Sequence, residues 1–150
     1  MTAADRRRTR IVVAAATYRR PEMLRRLLDS LRALTVPPDC DVSVIIVDND
    51  PEGGAAALCR AAGVVHVAEP RRGIPIARNR ALEAALAAGA DAIAFIDDDE
   101  FADEGWLAAL VGAMRRRNLQ LVGGPVIVAD ETRAETPWQR LILSGIRARL

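Results

Sequence analysis

Lysine is absent from the sequence, and all 21 basic residues are arginines. Against 20 acidic residues they leave a formal net charge of only +1, whereas a strongly basic nucleic-acid-binding protein would carry a clear positive excess. The composition therefore argues against nucleic acid as a partner. A cation set made of arginine alone suits diphosphate and carboxylate groups, because the planar guanidinium can contact two oxygens at once.

Cysteines and long apolar runs are also scarce. Cys40 and Cys59 stand nineteen positions apart, which excludes a CxxC motif and the usual metal-binding spacings. We interpret them as buried free thiols in a reducing compartment. No apolar run approaches the roughly 18 residues of a membrane-spanning helix. The N-terminus superficially resembles a signal peptide, but its apolar run covers only residues 11–16 and favours a strand. We expect a cytoplasmic protein.

The rest of the composition, 51% hydrophobic and 27% charged, is typical of one globular domain. Apolar runs predict strands at 11–16, 42–47, 64–68 and 92–96, and one broken strand or two short ones at 121–128. Helical spacing predicts helices at 21–34, 54–62, 76–88 and 106–117, and a last one from Trp138 to the final residue. Strands alternating with helices predict an α/β sandwich with a mostly parallel sheet.

Four consecutive acidic residues, Asp97 to Glu100, follow the fourth predicted strand directly. Carboxylates packed this closely repel one another and need a compensating charge. Oxygen ligands at this density suit Mg²⁺ or Mn²⁺, which commonly bind substrate phosphates as well. Because ligands bind beyond the carboxyl ends of parallel strands, we expect this cluster to lie near the turns at residues 17–19 and 48–50.

Five segments in order resemble motifs of the family 2 glycosyltransferases, over roughly residues 10–128. They are VVAAATYRRPEMLRRLLDSL, VIIVDND, GIPIARNRALEAA, FIDDDEFADEGWLAAL and GGPV. One acidic motif alone would be weak evidence, but five in register are specific. The resemblance implies a Rossmann-like GT-A fold and transfer of a sugar from a nucleoside diphosphate sugar to an acceptor hydroxyl. It also implies a divalent metal, Mn²⁺ or Mg²⁺, and an inverting mechanism.

The resemblance also implies roles for individual residues. The acidic run Asp97-Asp98-Asp99 matches the family's DxD-type motif, whose last member usually holds the metal. The expected metal ligands are Asp99 and Asp97. The expected donor-binding residues are Thr17, Tyr18, Arg19, Asp48, Asp50, Gly73, Arg78, Asp97 and Asp98. Of these, Thr17, Tyr18 and Arg19 would line the nucleoside pocket, and Asp48 would hydrogen-bond the base.

Structural alternatives stay open for several of these side chains. Tyr18 could be a packing residue instead of a platform for the base, and Arg78 could lie on the solvent face of its helix. The Arg71-Arg72 pair could attract a diphosphate, but a solvated loop is the simpler interpretation. His66 stands alone in a predicted strand and favours a structural role.

Other features restrict the function. The segment TYRRPE stands where a dinucleotide-binding dehydrogenase would carry GxGxxG after its first strand. Family 2 catalytic domains generally extend well beyond residue 150, into the half that forms the acceptor site and supplies the general base. We therefore assign no general base, and expect residues 1–150 to form a donor-binding domain that is incomplete at its C-terminus. The alternative is a non-catalytic module that binds nucleotide sugars or a protein partner.

The expected partners are a UDP, GDP or TDP sugar and a saccharide or lipid-linked acceptor, in cell-wall or polysaccharide biosynthesis. The C-terminal segment TPWQRLILSGIRARL combines an apolar stripe with arginines. Such a segment can contact an anionic membrane surface, which would place the protein at the inner face of the membrane. It can also pack on the sheet or promote self-association through an exposed apolar patch.

Overall fold

The computed structural model describes residues 7–126 of the chain. Its elements, in chain order, are β1 (Thr9–Thr17), α1 (Pro21–Arg32), β2 (Cys40–Asp48), α2 (Ala56–Ala62), β3 (Val65–Ala68), α3 (Ile74–Ala87), β4 (Ala92–Phe95) and α4 (Trp106–Arg117). The four strands form one sheet in the order β3-β2-β1-β4, and every pairing is parallel. The predicted α/β architecture with a parallel sheet is confirmed.

Two apolar clusters, one on each side of the sheet, form the core. One contains Ile11, Val13 and Ile46 from the strands, packed against buried residues of α1, α2 and α4. The other contains Val12 and Val47, together with three alanines of α3 at Ala77, Ala81 and Ala85. Both faces of the central strands are covered, which explains why those strands are continuous apolar runs in the sequence.

Strand register brings the polar turns to one edge. Thr17 at the end of β1 is paired with Asp48 at the end of β2, and Asp48 is paired with Ala68 at the end of β3. The chain after β4 continues alongside β1, where the Ile96 N–H donates to the Ala14 carbonyl at 3.1 Å. The segment that follows Ile96 is therefore delivered next to Thr17.

Several predicted boundaries differ from the structure. Helix α1 ends at Arg32, before Leu34. Helix α3 begins at Ile74, earlier than predicted. Pro75 lies in its first turn, where backbone N–H groups have no acceptor within the helix, so proline's lack of an N–H is tolerated. Strand β4 ends at Phe95.

The strand predicted at 121–128 is wrong for residues 121–126, which form no regular element. The Gly123-Gly124-Pro125 interruption explains this, because glycine weakens a strand and proline cannot donate to one. Residues 127–128 and the predicted C-terminal helix lie outside the described residues. Within the described part of the chain, no helix is long and apolar enough to cross a bilayer.

Candidate functional site

The acidic cluster and the end of β1 meet at the predicted edge of the sheet. Asp98 is buried, and its Oδ2 accepts the Thr17 hydroxyl at 2.8 Å. Residues 81 positions apart in the sequence are therefore in direct contact. This contact fixes the acidic turn against β1 and aims Asp98 inward, towards the sheet.

Two arginines neutralise the crowded carboxylates. Nη1 of Arg20 lies 3.1 Å from Oδ1 of Asp98 and 3.2 Å from Oδ2 of Asp99. Nη2 of Arg78 lies 2.6 Å from Oδ1 of Asp97. The charge that the acidic run requires is thus partly supplied by guanidinium groups of the chain itself. Arg78 is exposed on α3 and contacts Asp97, so its expected place beside the donor stays a prediction.

The oxygens of the acidic run are suited to a hard divalent cation, but they do not form a complete cage. Among residues 7–126 no group of three or more potential ligands lies close enough to hold a metal ion. Asp97 and Asp99 are 58% and 54% exposed, so their oxygens remain accessible from solvent. Since Mg²⁺ is commonly bound by one or two carboxylates plus substrate phosphates, this donor set fits a cation that arrives with an oxygen-rich ligand.

Asp48 is the most deeply buried acidic residue of the site, at 1% exposure. Its Oδ1 accepts the Asp50 N–H at 3.1 Å, and its Oδ2 accepts the Ala55 N–H at 2.8 Å. Nε2 of His66 lies 3.2 Å from the same Oδ2. Asp48 therefore holds the loop between β2 and α2 in place. Its role as a contact for the base stays a prediction, and so does the structural role of His66, which contacts Asp48.

Asn49 fastens the loop between β3 and α3 to the end of β2. Its side-chain NH₂ donates to the carbonyls of Glu69 and Arg71 at 2.7 and 2.8 Å, and its Oδ1 accepts the Gly73 N–H at 2.9 Å. Gly73 has a φ of 151°, a conformation that disfavours other residues, and it directly precedes α3, the helix that carries Arg78. The amide of Asn49 thereby positions the start of α3.

Tyr18 is partly buried beneath arginines. The guanidinium of Arg72 lies 4.8 Å from the ring centroid, and that of Arg19 lies 5.4 Å away. Arg19 also contacts Asp50, with Nε 3.1 Å from Oδ2. This hydrogen bond, with the attraction between the two charges, lowers the pKa of Asp50 from its ordinary value. The tyrosine ring is thus part of a cationic surface, consistent with both interpretations of this residue.

Two clefts open at the site. The larger, of about 410 Å³, is lined by Arg20, Pro21, Glu22, Met23 and Asp99. The smaller, of about 90 Å³, shares Arg20 and Pro21 with the larger one, and its lining also includes Thr17, Asp48 and Gly54. The larger cleft therefore lies beside the contact between Arg20 and Asp99.

Sequence reasoning missed several residues of this site. Arg20 and Glu69 were not among the candidates, although Arg20 is adjacent to Arg19, and Asn49 was included only as part of the turn at residues 48–50, with no role of its own. Arg19 and Arg20 are neighbours in TYRRPE, but their side chains contact different carboxylates, which the sequence alone does not indicate. Assigning the two arginines to different carboxylates requires the strand register, which shows that the acidic segment lies beside the end of β1.

Acid should destabilise the loop after β3 through Glu69. A hydrogen bond from Arg71 is the main cause that lowers the pKa of Glu69 from 4.5 to about 2. Because the folded pKa is depressed, this stabilisation is present above about pH 4.5 and is lost as the pH falls towards 2. Stability measured by urea unfolding from pH 6 to pH 2 should therefore decline less steeply in Glu69→Gln than in the wild type. An equally steep decline would contradict this assignment.

Comparison with known proteins identifies the family of the chain. The family model described as Glycosyl transferase family 2 matches residues 12–149. A succinoglycan biosynthesis protein, ExoM of Rhizobium meliloti (strain 1021), is 38% identical over 122 residues, which is 77% of this chain and 38% of that protein. The two cysteines are free and buried, as expected.

Solved glycosyltransferase structures share the fold. TarS of S. aureus superposes with a TM-score of 0.57 at 19% identity, over 81% of this chain and 23% of its own. A mannosyltransferase of Pyrobaculum calidifontis, in complex with GDP-Man and Mn²⁺, has a TM-score of 0.59 at 24% identity, over 71% of this chain and 32% of its own. The chain thus spans well under half the length of these relatives. The expected GT-A fold is confirmed, and the chain belongs to glycosyl transferase family 2.

Proposed function

We propose that this chain forms the donor-binding part of an enzyme that transfers a sugar from a nucleoside diphosphate sugar to an acceptor hydroxyl. The observation that carries the proposal is the meeting of Thr17, Arg20 and Arg78 with the acidic run at the carboxyl edge of a parallel sheet. Ligands of open α/β sheets bind at this edge. Membership in the glycosyltransferase family supports the same reaction class.

The proposed donor is a UDP, GDP or TDP sugar. Two solved relatives support this class, since the mannosyltransferase structure is a complex with GDP-Man and Mn²⁺, and TarS structures are complexes with UDP and with UDP-GlcNAc. In this chain Tyr18, Arg19, Asp48 and Asp50 would surround the nucleoside. The loop at Gly73 would position α3 so that Arg78 faces the diphosphate.

Asp99 and Asp97 would hold a divalent cation, Mn²⁺ or Mg²⁺. When bound, such a cation stabilises negative charge on a departing diphosphate. The protein groups contribute in the same direction, because Arg20 and Arg78 lie at the acidic run and carry the positive charge that a diphosphate would pair with. Asp98 would keep the turn in place through Thr17.

The proposed reaction is a direct displacement with inversion at the anomeric carbon. The acceptor oxygen forms a bond to that carbon, the bond from the carbon to the diphosphate oxygen breaks, and the hydroxyl proton passes to a general base. We assign that base to no residue of 7–126. A saccharide or lipid-linked acceptor, contact with the inner face of the membrane, and self-association remain part of the proposal.

Turnover of a panel of nucleotide sugars tests the reaction class. We expect the purified protein, supplied with Mn²⁺, to release nucleoside diphosphate from one member of the panel faster than buffer alone. The Asp99→Asn variant should lose that release, whereas Asp41→Asn, at the opposite end of the sheet, should retain it. Binding of a nucleotide sugar without any release would instead favour a non-catalytic binding module.

A further inference from the structure

Arg20 occupies an unusual position between two elements of the site. It is the residue immediately before α1, yet its side chain reaches the segment after β4, 78 and 79 positions further along the chain. A single nitrogen, Nη1, contacts both Asp98 and Asp99, at 3.1 and 3.2 Å. The guanidinium therefore lies between the two carboxylates, where it compensates their charge.

The two carboxylates differ in how firmly they hold this arginine. The Asp98 side chain is only 9% exposed, and removing a buried carboxylate's counter-charge is costly. The Asp99 and Arg20 side chains are each 54% exposed, and ion pairs between exposed groups contribute little. The contact with Asp99 is thus the one that can be exchanged, and the cleft of about 410 Å³ lined by both residues leaves room for the exchange.

We propose that Arg20 takes the place of a divalent cation on Asp99 until a cation arrives together with a diphosphate. The inference rests on the proposed function and goes beyond it, because it assigns Arg20 the role of making cation binding conditional on the nucleotide. When both arrive, the guanidinium leaves Asp99 and pairs with diphosphate oxygens. Arg20 is a positioning residue in this account and forms no covalent bond.

Charge explains why the cation alone binds poorly. Asp98 and Asp99 together carry two negative charges, and Arg20 reduces the net charge of these three side chains to minus one. A free cation must therefore either displace the guanidinium or lie beside a like charge, which is unfavourable. A diphosphate removes this conflict, because it offers the guanidinium two oxygens in a geometry that arginine prefers.

Removing the charge of Arg20 should therefore have opposite effects on the two ligands. Arg20→Gln should tighten binding of Mn²⁺ alone about two- to fivefold, the factor that an exposed ion pair contributes. The same variant should weaken binding of UDP, GDP or TDP measured in Mn²⁺. Arg20→Lys retains the charge and should keep the weak Mn²⁺ binding of the wild type. Free Mn²⁺ can be followed by its electron paramagnetic resonance signal, and nucleotide binding by calorimetry.

Arg32→Gln is the matched control, because it removes one charge from the other end of the same helix, where Arg32 contacts Asp29. It should leave both affinities unchanged. Mn²⁺ binding that is unchanged or weaker in Arg20→Gln than in the wild type would overturn the role of Arg20, even if nucleotides bind normally. Failure of the proposed function has a different signature, namely a wild-type protein that binds no nucleoside diphosphate with or without Mn²⁺.

Discussion

Replacing Asp48 with asparagine should lower the free energy of unfolding by about 2–3 kcal/mol, as expected when a charged hydrogen-bond acceptor is lost from the interior. Both oxygens of Asp48 accept backbone N–H groups, from Asp50 and Ala55. Asparagine offers only one acceptor, so its NH₂ must face one of these donors and leave it unsatisfied. Urea unfolding followed by circular dichroism measures the difference.

Asp29→Asn provides a control with the same change of charge. Asp29 lies on the exposed surface of α1 and pairs with Arg32 at 3.3 Å, so its replacement should change stability by less than about 0.5 kcal/mol. If Asp48→Asn is as stable as Asp29→Asn, Asp48 does not hold the loop after β2. That result would leave the base-binding role as the main reason for a carboxylate at this position.

The Asp99→Asn substitution should have the opposite profile, with little effect on stability and a large effect on ligand binding. Asp99 is half-exposed, and among the ion pairs of the described chain it contacts only Arg20, which is half-exposed as well, so the fold does not depend on it. Loss of a carboxylate that holds a divalent cation should weaken Mn²⁺-dependent binding of a nucleoside diphosphate at least about tenfold, or about 1.4 kcal/mol. Calorimetry in saturating Mn²⁺ measures this affinity.

Asp41→Asn is the control for this experiment, since Asp41 lies at the amino end of the sheet and pairs with Arg8. It should bind nucleotide as the wild type does. Asp48→Asn, measured well below its melting temperature, should retain its dependence on Mn²⁺ and alter which base is preferred. Equal loss of Mn²⁺ dependence in Asp48→Asn and Asp99→Asn would contradict the division of roles between these carboxylates.

The sequence predicted the fold well because its signals are local and strong. The central strand β1 contains a buried apolar run, and β2 is rich in β-branched residues. The shorter strands β3 and β4 are less buried but apolar apart from His66, and the sequence predicts all four described strands. The errors lie at boundaries and at residues 121–126. The predicted helix at 76–88 leaves out Pro75, although proline is compatible with the first turn of α3.

The site was predicted less completely, because its contacts depend on register and on side-chain reach. The acidic run and the turn at Thr17 were expected at one edge from the order of the strands, whereas Arg78 was implied by the family resemblance. The structure brings all three to that edge. The partners that neutralise or orient them, Arg20 and Asn49, contact residues 20 to 79 positions away. The periodicity of a sequence does not indicate contacts between residues so far apart in the chain, so these roles could be assigned only from the structure.

Calorimetric titration of the purified protein with UDP, GDP and TDP, each in Mn²⁺ and each in a chelator, tests the central claim most directly. The claim is that the acidic run and its arginines form a cation-dependent site for a nucleoside diphosphate. We predict that at least one nucleotide binds, and that it binds more tightly in Mn²⁺ than in the chelator. Equal affinity in both conditions for every nucleotide would contradict the cation's role, and no binding of any nucleotide would contradict the site itself.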